Sequence, residues 1–437
     1  MATGFFGGVH PSYNKELASG SGIRRMPLPE RLIVHLNQNL GGPPNPVIKR
    51  GDKVRKGQLI AEAGGFVSAN VHSPVSGEVK SVGMYPSPVG TEMEAAVIIP
   101  DQEQEWVEGA GEERSYSDLK REEIPELVRD AGIVGMGGAA FPTHVKLMPP
   151  EDKNIDILII NGVECEPYLT ADHRLMLEQG EGILEGALLF ARAIEAKDIV
   201  IAIEKNKPDA IDAMKELTRE RDIRVQGMDV IYPQGAEKQL IHALTGRKVP
   251  AGGLPMDVGA LVQNVGTCFA AYQAASRGIP LIERVVTVTG SGIREPGNIL
   301  VPIGARFGDI IDFCGGMEED TVKIISGGPM MGVAQYSLDS SVTKGTSGIL
   351  LLKIDEVEQF ENRACIRCGR CLDACPMRLN PSALSIFAER TDYDRTAEYN
   401  VMDCIECGCC AYVCPSMRPM VHHFRKAKAE IRKKNRG

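Results

Sequence analysis

The chain has 437 residues, a net charge of −9 at pH 7 and 43% hydrophobic residues. That length exceeds one hydrophobic core, so about three to four domains are expected, and the acidic balance argues against nucleic-acid binding. Apolar runs such as 155–160 and 349–352 fall far short of the roughly 18–20 residues that cross a bilayer.

Residues 1–25 are rich in Gly and Ser and read as an arm; their start, MATGFFGGVH, lacks the basic and apolar parts of a signal peptide. Segment 26–100 is dense in Gly, Pro and Val without a helical period, which predicts short strands and turns. Within it VIKRGDKVRKGQLIAE (47–62) and HSPVSGEVKSV (72–82) resemble the halves of a biotinyl/lipoyl-type barrel-sandwich domain. Carriers of that fold present a modifiable Lys between the halves. The piece here, AGGFVSANV, has none, so a scaffold or docking module is expected.

Residues 101–125 form a charged, acidic linker. Over 126–280 strand signals at 155–162, 198–204 and 228–233 alternate with helix signals at 173–194 and 208–220. That order predicts an α/β domain with a mainly parallel sheet. Short strands follow over 281–355, and 356–420 has short-helix and loop character. The basic stretch 421–437 predicts a solvated helical tail, with docking to an acidic partner or anionic lipid as the alternative.

Eight of the 12 cysteines form two copies of C-x2-C-x2-C-x3-C-P, offset by 39 residues. Three thiolates at this spacing wrap one cubane, while the fourth reaches the other cluster. Cys365, Cys368, Cys371 and Cys414 are therefore expected around one [4Fe–4S] cluster, and Cys404, Cys407, Cys410 and Cys375 around the second. Structural zinc usually shows paired C-x2-C knuckles across a longer loop; the third close cysteine and the terminal Pro argue against it. Reduced thiolates point to a cytosolic compartment. Cys409 breaks the repeat and is not expected to ligate, and Cys165 is expected to pack as a small apolar residue.

Three further segments carry polar or glycine signals. GIVGMGGAAFPTHVK (132–146) lacks the Rossmann spacing, yet its glycines would let backbone N–H groups approach a phosphate or a flat ring. IINGVECEPYLTADHR (159–174) begins where a buried strand ends, the usual ligand position in an open α/β sheet. ALVQNVGT (260–267) offers Asn264 and Thr267 to a phosphate or ribityl chain.

The order Gly135-x-Gly137-Gly138-x-x-Phe141-Pro142-Thr143, Asn161-x-x-Glu164-x-Glu166-Pro167, Asn264-x-x-Thr267 is similar to the NADH- and FMN-binding subunit of respiratory complex I. Residues 287–316 resemble the soluble-ligand-binding β-grasp (SLBB) domain that follows the flavin domain there. With FFGGVHP (5–11), the barrel-sandwich halves and the ferredoxin motifs, the chain resembles the RnfC subunits of Rnf electron-transport complexes over about residues 4–420. A cobalamin reductase of bacterial microcompartments carries similar modules in other places.

The resemblance implies a multidomain α+β and α/β protein: barrel-sandwich hybrid, α/β FMN/NADH-binding domain, SLBB domain and two-cluster ferredoxin. It implies that Gly135, Gly137, Gly138, Lys146, Asn161, Asn264 and Thr267 contact FMN, that Glu164, Glu166 and Glu237 line the flavin and nicotinamide side, and that Phe141 is the nearest adenine grip. Met136 replaces an Arg of the family loop, Val163 an acidic residue, and 147–150 (LMPP) lacks the family's aromatic. The implied function is ferredoxin:NAD+ oxidoreduction coupled to Na+ or H+ translocation, by hydride exchange between NAD(H) and FMN and one-electron transfer through the clusters. The implied setting is peripheral, on the cytoplasmic face of the bacterial cell membrane, with integral-membrane and iron–sulfur subunits as partners and ferredoxin reached indirectly. A soluble diaphorase such as a cobalamin reductase is the alternative.

Overall fold

The computed structural model describes residues 4–357 and 363–434. The first three residues of the arm, 358–362 at the start of the ferredoxin segment and 435–437 of the basic tail lie outside the described residues.

Two small antiparallel sheets form the N-terminal domain. One has the order Leu32–His35, Glu92–Pro100, Gly77–Pro86, Lys53–Val54; the other comprises Asn45–Pro46, Leu59–Glu62 and Val71–His72. Alternating residues such as Leu32, Val34, Ile60, Val79 and Ile98 close a core between them, as half-buried strands with period-two patterning require. The connection 63–70, where a carrier would present its Lys, is instead docked: the Phe66 carbonyl lies 2.9 Å from Nε2 of His144. Nearby, the Leu40 amide donates to the Ala140 carbonyl at 3.0 Å.

The central domain has four parallel strands in the order Arg224–Met228, Asp198–Glu204, Ile157–Gly162, Ala260–Asn264. The chain reverses its direction of winding between the strands 157–162 and 260–264. That reversal is the topological switch point of a doubly wound sheet, where a crevice opens beyond the carboxyl ends. Asn161 and Asn264 are register partners there. The strand expected at 228–233 lies earlier, because Met228 ends the pairing with Glu204 and 229–236 turns away as a loop. The helix expected over 173–194 is two helices, Ala171–Glu178 and Gly180–Ile194. Gln179 leaves the helical region (φ −132°, ψ 27°), and a Cβ on Gly180 would meet Leu217 at 2.5 Å.

A six-stranded sheet follows, ordered Ile23–Arg25, Gly297–Pro302, Glu283–Thr289, Gly348–Lys353, Thr321–Ser326, Val333–Ala334. Its edge strand comes from the N-terminal arm, so the arm is built into the fold. It starts against the ferredoxin, where the Gly8 amide donates to Ala374 at 3.0 Å and Val9 exchanges bonds with Tyr232. A Cβ on Gly7 would meet the Ala374 and Cys375 backbone at 2.9 Å; with φ of +78° and +86° at Gly7 and Gly8, the FFGG stretch suits glycine on both counts.

The ferredoxin segment repeats in conformation as in sequence. Left-handed residues recur at the 39-residue offset: Arg367 and Glu406, Gly369 and Gly408, Arg378 and Met417. Gly369 and Gly408 each open a short helix, Arg370–Ala374 and Cys409–Tyr412, and longer helices Pro381–Glu389 and Met420–Lys434 follow.

The helix Val265–Arg277, which starts at Asn264, packs on Gly180–Ile194 so closely that a Cβ on Gly186 would sit 1.9 Å from the Cys268 carbonyl oxygen. Gly186→Ala is expected to lower stability by about 1–3 kcal/mol through overpacking, read as a fall in the thermal midpoint of the reconstituted protein. An unchanged midpoint would refute the tight helix contact.

Candidate functional site

The switch-point crevice is lined from three sides. Below lie Asn161 and Asn264. The Asn264 side chain caps the following helix by accepting from the Gly266 amide at 2.8 Å, an N-cap that satisfies a donor otherwise left open. Its Nδ2 donates to Asp172 at 2.7 Å. Nδ2 of Asn161 donates to the Gly235 carbonyl at 2.9 Å.

Beside them runs the glycine loop. It closes on itself through Gly135 N to Phe141 O (2.8 Å) and Ala140 N to Gly135 O (3.1 Å), and Met136 N donates to the Thr267 hydroxyl at 2.9 Å. The exposed stretch 137–139 is left facing the crevice. A Cβ on Gly137 would touch Asn264 at 3.6 Å, while one on Gly138 (φ +122°) would project into open space. On the third side Lys146 Nζ bonds Glu237 at 2.8 Å and the Val262 carbonyl at 3.1 Å.

The loop residues Gly135, Gly137, Gly138 and Phe141, the strand-end Asn161 and Asn264, and the Lys146–Glu237 pair thus come together at the carboxyl edge of the sheet, with Thr267 buried behind the loop. Two expected acids are engaged by backbone amides. Glu164 accepts from the amides of Asp172 and His173 (2.8 and 3.2 Å) at the start of the helix Ala171–Glu178. Glu166 accepts from the amides of Met330 and Met331 (2.6 and 3.1 Å), tying the loop to the SLBB segment; burial pushes its carboxyl up.

The sequence reading missed Asp172 and Arg284. Burial and the neighbouring Glu164 charge push Asp172 up to about 7. The buried Arg284 donates to the carbonyls of Lys344 and Met136, and burial lowers it to about 10. It gives the loop a guanidinium from another domain, where the family pattern has an Arg at position 136. In the sequence it stands only as an Arg at the start of the strand run 284–289.

These features fit a flavin phosphate. Glycines leave room for backbone amides, and buried Nε2 donors of Gln234 and Gln263 have no partner among the described residues, which is unusual unless a ligand or water completes them.

The eight motif cysteines line two separate cavities. An inner one takes Cys375, Cys404, Cys407 and Cys410, with Leu379, Leu384, Ile405 and Phe424 in its wall. An outer one takes Cys365, Cys368, Cys371 and Cys414. The partition is three from one motif and the fourth from the other, the donor set of paired cubanes. Cys409 also borders the inner cavity, but its thiol faces the Tyr232 carbonyl at 3.8 Å.

The loop 229–236 joins crevice to inner cavity. Gly235 carries the bond from Asn161, and the buried Tyr232 hydroxyl donates to the Cys407 carbonyl at 2.8 Å. Cys165 lies at this junction: its sulfur accepts from the Gly235 amide at 3.3 Å, and burial pushes its thiol up.

Comparison with known proteins agrees domain by domain. Family matches are the RnfC barrel sandwich hybrid domain over residues 3–103, the Nuo51 FMN-binding domain over 128–273, the SLBB domain over 285–334 and a 4Fe-4S dicluster domain over 364–417. The chain is 52% identical to the C component of the proton-translocating ferredoxin:NAD(+) oxidoreductase complex of Clostridium ljungdahlii, covering 99% of this chain and 95% of that one. The chain belongs to the RnfC family. It is also 43% identical to the C component of the Na(+)-translocating complex of Acetobacterium woodii, with 98% and 97% covered. Identity to the C component of the ion-translocating oxidoreductase complex of Rhodobacter capsulatus is 43% as well, with 97% and 82% covered. An NAD+-reducing [NiFe]-hydrogenase structure shares the fold at a TM-score of 0.50 and 20% identity, over 71% of this chain and 63% of that one. This RnfC family member is a flavin and [4Fe–4S] protein.

Thr267→Val removes the acceptor of the Met136 amide, which should cost about 1–3 kcal/mol. The expected result is less FMN retained after gel filtration at unchanged iron; undiminished flavin would show that the hydroxyl does not set the loop. In the ferredoxin, Cys371→Ala is expected to lose the outer cluster's iron and Cys409→Ala to keep the full complement, so equal losses would refute the ligand sets.

Proposed function

We propose that this chain is the NAD(H)-oxidising or NAD+-reducing subunit of a membrane complex that couples ferredoxin:NAD+ oxidoreduction to ion translocation. The observation that carries this reading is the single loop, 229–236, that touches the switch-point crevice at Gly235 and the inner cavity at Tyr232. A two-electron site and a one-electron site are thereby held by one short piece of backbone. FMN supplies the conversion, since it takes up a hydride and gives up electrons one at a time.

The protein's own part is placement. Amides of 137–139 and the Lys146 ammonium would hold the phosphate of the flavin, with Asn161 and Asn264 beside it and Thr267 fixing the loop from behind. Glu237, ion-paired with Lys146 at 2.8 Å, would line the nicotinamide side, and Phe141 would offer a face to the adenine. Glu164 and Glu166 act from behind, by fixing the helix at Ala171–Glu178 and the contact with the SLBB segment.

Cys375, Cys404, Cys407 and Cys410 would hold the cluster nearer the crevice, and the outer cavity, whose Cys368 is exposed and whose Ile366 is 67% exposed, would hold the one that relays single electrons beyond the chain. Among the described residues no helix is long and apolar enough to cross a membrane. The chain takes a peripheral place on the cytoplasmic face, with integral-membrane and iron–sulfur subunits as its partners and ferredoxin reached through them.

Anaerobic reconstitution tests the reading. About eight irons and one FMN per chain are expected, and NADH should bleach the flavin band and then raise the paramagnetic signals of reduced clusters. Flavin that bleaches without cluster reduction, or a chain that never retains FMN, would refute it.

A further inference from the structure

The wall of the inner cavity includes Glu406, between the ligands Cys404 and Cys407. Its other non-cysteine side chains are mainly apolar. When the cluster takes up one electron, an already anionic four-thiolate assembly gains a further negative charge, with no bond made and no proton moved. A carboxylate in a poorly hydrated wall opposes that step.

Glu406 is not alone. The helix Met420–Lys434 brings Lys428 Nζ to Oε1 at 2.8 Å and Arg425 Nε to Oε2 at 2.9 Å. Lys428 also donates to the Cys404 carbonyl at 2.5 Å, which places its charge directly behind a cluster ligand. Arg425 is partly exposed and shared with the Met331 carbonyl. Lys428 is only 5% exposed, so water and salt screen it little. The two cations outweigh the one carboxylate.

The outer half shows that this arrangement is not a general property of the repeat. The offset of 39 residues that relates the cysteines puts Arg367 at the place of Glu406 and Glu389 at the place of Lys428. At equivalent positions the signs are reversed. Arg367 lines the outer cavity and is exposed, while Glu389 accepts from Arg418 at 2.6 Å.

We propose that Lys428 tunes the inner cluster: its buried charge overrides Glu406 and raises the reduction potential of the centre held by Cys375, Cys404, Cys407 and Cys410. The proposal rests on the cluster assignment above, which iron content tests separately. Within it Lys428 is a tuning residue that acts through the Cys404 loop and Glu406.

The test uses the full chain, reconstituted anaerobically, with the clusters titrated by electron paramagnetic resonance in a mediator mixture under dithionite. Lys428→Gln keeps a hydrogen-bond donor and removes the charge. The expected outcome is full iron, one cluster signal shifted to more negative potential and the other unmoved. Lys428→Arg should bring that signal back towards the parent value, and Glu406→Gln should move the same signal the opposite way. Unchanged potentials in Lys428→Gln at full iron would overturn the proposal. So would iron loss in both Lys428 variants, because the lysine would then be only a brace for the Cys404 loop. Should Lys428→Gln alone lose iron, Glu406→Gln decides: a positive shift of one signal supports the tuning role, and no shift overturns it. Fewer than about eight irons in the parent chain would instead overturn the cluster assignment.

Discussion

Each cluster cavity is completed by a cysteine from the other motif, and the arrangement of this protein's redox end follows from that exchange. Cys375 leaves the first motif to join Cys404, Cys407 and Cys410, and Cys414 returns to Cys365, Cys368 and Cys371. Neither motif can finish a cavity by itself, so each cluster, when bound, would tie the two motifs together. The left-handed residues repeated at matching places keep the two ligand loops in the same shape. The N-terminal arm then braces the crossing point. Gly7 lies on the backbone of Cys375 with no room for a side chain, and Arg378 covers Phe6 at 4.6 Å.

The exchange also fixes which cavity meets the flavin domain. Tyr232 and Gln239 both leave the neighbourhood of the crevice and end on the inner side, Tyr232 on the Cys407 carbonyl and Gln239 on Met377. The helix Glu237–Thr245 makes the second link: Glu237 in its first turn pairs with Lys146, and Gln239 two residues on faces the ferredoxin. A single turn of helix therefore links the Lys146 pair to the ferredoxin segment. The outer cavity, with its exposed ligand loop, is left to face other molecules.

Much of this was legible because the strongest signals were local. Cysteine spacing specified which sulfurs share a cavity, since tight spacing leaves little conformational freedom. The strands at 157–162 and 198–204 were readable as short β-branched runs, and Asn161 and Asn264 as residues at strand ends. What the sequence hid depends on long-range packing. The break at Gln179 adjoins a tight place that no local pattern shows, since a Cβ on Gly180 would meet Leu217, far along the chain. The arm looked free because Ile23–Arg25 is a strand only in the presence of Gly297–Pro302. Glu164 and Glu166 read as site acids by their pattern; their contacts with the Asp172 and His173 amides and with the Met330 turn show only in the folded chain. Asp172 lies in the 159–174 segment without being one of its patterned residues, and Arg284 lies outside every site segment, so their parts show only when the fold brings Asp172 to Asn264 and Arg284 to the Met136 carbonyl.

The accessory domains hold the back of the glycine loop. Lys344, 1% exposed, reaches between two domains: its Nζ donates to Asn70 of the barrel-sandwich at 2.5 Å and to Gly132 at 2.6 Å. Burial brings its ammonium down to about 7. Arg284 does the same for Met136. Polar hydrogen-bond donors are a costly way to fill a junction, because each loses its water and must find carbonyls in return. An apolar contact would adhere as well and tolerate sliding. A buried donor does not tolerate it, since displacing one carbonyl leaves a penalty of about 1–3 kcal/mol or more. The junction therefore favours one position of the loop over its neighbours. That is the property a flavin site needs if its amides are to be placed before the ligand arrives, and it gives the barrel-sandwich and SLBB domains a physical role that requires no ligand of their own.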